Sequence, residues 1–144
     1  MADSRRASVE HHVSDAYSVP VPGFSHAVSV MGPGRFVFVS GVTARAADGR
    51  IEGRGDLEAQ TRRVFESVAR ILGQAGARMS DVVRVVTYLR DMDRYPEMQA
   101  VRHEIWPDRA PASTTVQVGR LFDPDQLIEV EVIAFVAGSR HDGD

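Results

Sequence analysis

The stretch from Asp56 to Gly76 constrains the fold more than any other part of the chain. Asp56 is a good helix N-cap, and over residues 57–74 Leu57, Thr61, Val64, Phe65, Val68, Ile71 and Leu72 recur at three- and four-residue spacing. Glu58, Arg62, Arg63, Glu66 and Arg70 take the opposite side, and Gly76 stands where a C-terminal cap belongs. A helix this one-sided is stable only when its apolar stripe is covered. The segments before and after it read as strands, so its one apolar face packs on a sheet.

Those strands are legible as short apolar runs between turn residues. Residues 17–21, 26–31 and 35–40 come first, with Gly32-Pro33-Gly34 between the second and third and Gly41 ending the third. The run Arg35-Phe36-Val37-Phe38-Val39 is apolar at nearly every position, which suits a strand covered on both faces or lying in a subunit contact. Beyond the helix, residues 81–90 are β-branched and strand-like. Residues 92–106 have helical character, with Tyr95-Pro96 at the first turn and Pro107 as the stop. Residues 113–118 and 127–136 are the closing strands, joined by a loop with Asp123-Pro124-Asp125. The order β-β-β-α-β-α-β-β predicts an α+β fold with both helices on one face of a mixed sheet. Residues 1–13, including His11 and His12, are polar and without periodicity and read as a disordered tail. Residues 14–138 form one domain, and residues 139–144 are a C-terminal tail.

Composition removes whole mechanisms. Among 144 residues there is no Cys, no Lys and no Asn, so thiolate nucleophiles, disulfides, lysine Schiff bases and lysine-dependent phosphate loops are excluded. The 17 basic and 20 acidic residues are scattered, for a net charge of -3, without the basic block that tracks nucleic acid. No run approaches the roughly 18 apolar residues of a membrane span and the polar start lacks a signal-peptide core, which gives a cytoplasmic expectation. His103-Glu104 resembles the start of a zinc helix, but Pro107 occupies the place of the second histidine, so no metal is expected.

The chemistry concentrates near the C-terminus. In Ile128-Glu129-Val130-Glu131-Val132 the two carboxylates share one strand face and the apolar residues the other. This pattern fits either a solvated sheet face or, where a carboxyl is buried, a general acid or base. Taken with Pro111-Ala112-Ser113-Thr114-Thr115-Val116-Gln117-Val118, it resembles the signature of the Rid family, formerly YjgF. Val37-Phe38-Val39-Ser40-Gly41 resembles that family's first core strand and Ser-Gly turn, and Pro22-Gly23-Phe24-Ser25-His26-Ala27 its opening loop. The likeness runs over residues 17–136.

It implies a chorismate-mutase-like homotrimer with a ligand cleft between adjacent subunits, and cofactor-free hydrolysis of reactive imines or enamines with release of ammonia. By the same resemblance, Glu129 holds the attacking water. Phe24 covers the pocket in place of a tyrosine, Ser40 and Gly41 match the turn, and Gln99 matches an amide on the second helix. Thr115 presents its backbone to the water. His26 is a further candidate proton carrier.

One position departs from the pattern. Ser113 stands where the deaminases have an arginine that grips a substrate carboxylate, and a hydroxyl cannot replace that planar fork. Either another cation such as Arg45, Arg120 or His26 compensates, or the substrate lacks that carboxylate, or the protein binds without catalysing. The expected function is hydrolysis or tautomerisation of an imine or enamine other than the standard 2-iminoacids. The alternatives are a non-catalytic small-molecule-binding or chaperone-like trimer, and a pathway-specific enzyme of aromatic degradation or natural-product synthesis.

Overall fold

The first helix begins where the Asp56 side chain, at 3.0 Å, accepts the Ala59 backbone N–H, and it runs as α1 over Leu57–Gln74. It ends in a left-handed Gly76 (φ 71°), which lets Ala77 N–H reach back to the Leu72 carbonyl at 2.8 Å. These facts come from a computed structural model that describes residues 6–17 and 25–138. The other elements are β1 (Ser8–His12), β2 (Ala27–Met31), β3 (Gly34–Val42), β4 (Val82–Leu89), α2 (Tyr95–Ile105), β5 (Ala112–Gln117) and β6 (Ile128–Ala137).

Four strands form a mixed sheet in the order β3-β6-β4-β5, parallel between β4 and β5 and antiparallel elsewhere. Its helix side is the core. Val64, Val68 and Leu72 of α1 are sealed against Val85, Leu89, Val130 and Ala134, all fully buried. Trp106 closes the end of α2, its indole donating to the Met79 carbonyl at 3.0 Å and its ring meeting Phe65 edge-on at 5.4 Å. Gln60, polar yet fully buried, donates to the Asp125 carbonyl at 2.8 Å and accepts from Leu127 N–H at 2.9 Å. It thereby fastens the loop before β6 to α1. No helix among the described residues is long and apolar enough to cross a membrane.

The expected order of elements is recovered, with two corrections. The first strand lies at Ser8–His12, inside the stretch read as a disordered tail, and pairs antiparallel with β2 from Ser8↔Met31 to His12↔Ala27. Main-chain pairing needs no apolar periodicity, and His11 adds a side-chain tie to the Ala110 carbonyl at 2.9 Å. Tyr17 stands in a turn, and the rest of the strand expected at residues 17–21 falls outside the described residues. The second correction concerns Gly41, which does not end its strand. β3 continues to Val42 through a bulge, since Val39 pairs with Val132 and Val42 with Val130, so β3 carries one residue more than β6 between those pairs.

Candidate active site

Strand alternation and register divide the candidate residues between the two faces of the sheet. Glu129 pairs with Tyr88, and Glu131 with Val86. Both acids therefore share the open face with Arg84 and Tyr88 of β4 and with Phe38 and Ser40 of β3. Ser113 pairs with the fully buried Val85, and Thr115 with the fully buried Thr87, which puts both on the helix side. Within one chain, Ser113 and Glu129 are thus two strands and one sheet face apart, about 10 Å laterally at ordinary strand spacing.

The bulge brings the Ser-Gly turn to the glutamate. A Cβ built on Gly41 would overlap Glu129 Oε1 and lie 2.9 Å from its Cδ, so this backbone approaches the carboxylate as closely as only a glycine allows. The two acids then differ in what engages them. Tyr88 Oη donates to Glu131 Oε1 at 2.9 Å. That hydrogen bond, then burial, then the charges of Glu131 and Glu129, raise the phenol above its ordinary pKa. Glu129 is half-buried, and no hydrogen bond or ion pair engages it among the described residues. Its oxygens are open to a water or a ligand. Glu131, but not Glu129, joins Phe38, Ser40, Arg84 and Ile133 around a cavity of about 300 Å³, and Arg84 donates to Thr114 Oγ1 at 2.8 Å.

The other expected residues are dispersed. Gln99 lies on α2, where its amide oxygen accepts from Tyr95 Oη at 3.1 Å. The His26 Nδ1 accepts the Ser14 N–H at 2.8 Å and its ring meets Tyr17 edge-on at 5.4 Å, which ties it to the N-terminal segment. Phe24 lies outside the described residues. Of the three cations weighed against the missing arginine, Arg45 lines a second cavity with Gly41, whereas Arg120 is exposed on the loop after β5. Sequence reasoning passed over Tyr88, Arg63 and Arg70. The alternation of residues 82–89 carried a signal for Tyr88, since it shares a face with Arg84.

The α+β sheet, with its bulged Ser-Gly strand laid against an unengaged glutamate, has counterparts among known proteins. The family model described as Endoribonuclease L-PSP matches residues 16–136. A RutC family protein of Pyrococcus abyssi is 39% identical over 117 residues, covering 81% of this chain and 88% of that protein. The 3-aminoacrylate deaminase RutC of Acinetobacter baylyi is 40% identical over 100 residues, covering 69% and 79%. Among solved structures, a Rid-family protein of unknown function from Yersinia pestis superposes with a TM-score of 0.79 at 32% identity over 88% of this chain and 97% of that one. A YjgF/YER057c/UK114 family member from Mycobacterium tuberculosis gives 0.63 at 32% identity over 90% and 100%. The chain belongs to the Rid (YjgF) family.

Proposed function

We propose that this protein hydrolyses an imine or enamine of a small molecule, with Glu129 as the residue that holds and deprotonates the attacking water. The observation that carries the reading is the contrast between the two acids: Glu131 is engaged by Tyr88, whereas Glu129 lies unengaged against Gly41. The water oxygen bonds to the C=N carbon as its proton passes to Glu129, and that proton is returned to nitrogen. The hydroxyl proton of the resulting carbinolamine then passes, again by way of Glu129, to the nitrogen as the C–N bond breaks, so that ammonia leaves and a carbonyl remains. An enamine enters the same path once its carbon has been protonated. The relative named 3-aminoacrylate deaminase supports the chemistry, since 3-aminoacrylate is an enamine. With serine at position 113, the substrate differs from the standard 2-iminoacids.

The site is proposed to be a cleft between subunits of a homotrimer. Ser113 and Glu129 face opposite sides of one sheet, so a ligand touching both needs two copies of the chain. Phe38 at 73% and Phe36 at 50% exposure are aromatic surface on the open face that a partner subunit would cover. No nucleic acid, membrane or cofactor enters this reading.

The test generates imines in situ with an amino-acid oxidase or an amine oxidase and follows ammonia. Wild type accelerates its release, and Glu129→Gln slows turnover by about 10²- to 10⁴-fold. Equal rates in the two proteins overturn the assignment. A binding protein without turnover is the second reading, favoured by the absence of an arginine at position 113. It predicts ligand affinity that survives Glu129→Gln.

A further inference from the structure

A second cavity, of about 510 Å³, lies between α1 and the loop that follows β3, with Gly41 in its lining. Its polar lining is cationic. Arg63, Ser67 and Arg70 stand on one stripe of α1 at four- and three-residue spacing, and Arg45 faces them from the loop. Among the described residues, no carboxylate lines this space. Arg45 is held in place, its Nη1 donating to the Gly49 carbonyl at 2.7 Å and its guanidinium 5.8 Å from the centre of the Phe122 ring. Arg63 donates to Ser67 Oγ at 3.1 Å. Its Nε sits 2.7 Å from Glu52 Oε2, at ion-pair distance but off the hydrogen-bond line. Arg70 is exposed and makes no hydrogen bond or ion pair among the described residues.

Three guanidinium groups around one concave space, one of them paired with Glu52, repel one another and concentrate anions there. Charge-assisted, bidentate contact with a carboxylate is what such groups do best. Gly41 stands in the wall of this cavity and also abuts the Glu129 carboxylate, so the arginines and the glutamate adjoin through that one residue of the edge strand β3.

We infer that the Arg45–Arg63–Arg70 cavity holds the anionic end of the substrate, which is an imine or enamine whose carboxylate is set away from the reacting carbon. Serine at position 113 is then accounted for: the anchor has moved from the β5 strand to the α1 face, and a 2-iminoacid, whose acid adjoins the C=N carbon, is poorly placed. The inference rests on the imine-hydrolase reading for the chemistry at Glu129, but not for the anion site itself.

Two measurements on the full chain separate them. In the first, ammonia release is compared for the imine made by oxidising 4-(aminomethyl)benzoate, whose only carboxylate is remote from the C=N carbon, and for the imine made from benzylamine, which bears none. Arg70→Ala is expected to lower the preference for the acid-bearing imine about tenfold, mainly through KM, the loss of some 1.4 kcal/mol of binding. Arg120→Ala makes the same change of charge outside the cavity and is expected to keep the wild-type preference. A preference unchanged in Arg70→Ala, or lost equally in Arg120→Ala, overturns the inference. In the second, succinate is titrated calorimetrically at low salt. Tenfold weaker binding to Arg70→Ala than to wild type supports the anion site even if no imine is ever turned over, which would sink only the hydrolase reading. Equal affinity, or no binding to wild type, sinks the anion site.

Discussion

The Glu129 carboxylate lies against the Cα of Gly41, in the space a Cβ would fill. The glycine is required for proximity rather than for a left-handed backbone, since Gly41 is not among the positive-φ residues. Gly41→Ala should therefore fold, because what it meets is the end of a flexible side chain, but it should swing the carboxylate away from its water. We expect turnover to fall about 100-fold, the usual consequence of an ångström of misplacement, with a melting temperature close to wild type. Ammonia release and a thermal melt check the two halves.

Tyr88 offers a pH signature. Its hydrogen bond to Glu131 raises the phenol above its ordinary value, so the bond stabilises the fold fully below the usual tyrosine range and is lost as pH rises through the higher folded value. Absorbance at alkaline pH should show a tyrosine ionisation above the ordinary phenol range. Tyr88→Phe should remove that late step and leave the protein's stability less dependent on alkaline pH.

Restoring a cation at position 113 should redirect specificity. Ser113→Arg gives a 2-iminoacid carboxylate a charge-assisted partner worth roughly 1.5 to 3 kcal/mol per bond, so kcat/KM for such substrates should rise tenfold or more. Because Ser113 is half-buried and adjoins Val85, a modest loss of stability should accompany the gain. Competition between a 2-iminoacid and a benzylamine-derived imine reads the switch directly.

The exposed Phe38 ring tests the assembly. Phe38→Glu puts a charge on the open sheet face, and light scattering should report a shift from three times 15.8 kDa toward a single chain. Loss of imine turnover should accompany dissociation. A wild-type protein that is already monomeric refutes the cleft.

A local prediction concerns the helix cap. Asp56→Ala leaves the Ala59 N–H without its partner and should cost about 1 kcal/mol in chemical denaturation, with no effect on substrate preference.

Where the physics is local, the residues themselves were informative. The 3.6-residue period and the Asp56 and Gly76 caps predict α1 to its observed ends at Leu57 and Gln74, because capping and amphipathicity depend on neighbours a turn away. Ile71 is the exception on the expected apolar stripe. It is 40% exposed, at the rim of the arginine cavity rather than under the sheet. The polar strand at Ser8–His12 was illegible because backbone pairing with β2 leaves no mark on side-chain composition. Gln60 was illegible as core because only the loops that fold over it supply its partners.

The sequence by itself carried the resemblance to the family, and residue types and short-range spacing determined the order of helices and strands and the presence of two acids on one strand face. Only the tertiary structure decided how those acids differ and which cations stand near them. Register across β4 and β6 gives Tyr88 to Glu131, and a bulge in β3 carries Gly41 to Glu129. The packing of α1 beside that edge turns Arg63 and Arg70 toward Arg45. Those relationships join residues dozens of positions apart, and no periodicity along a single chain encodes them.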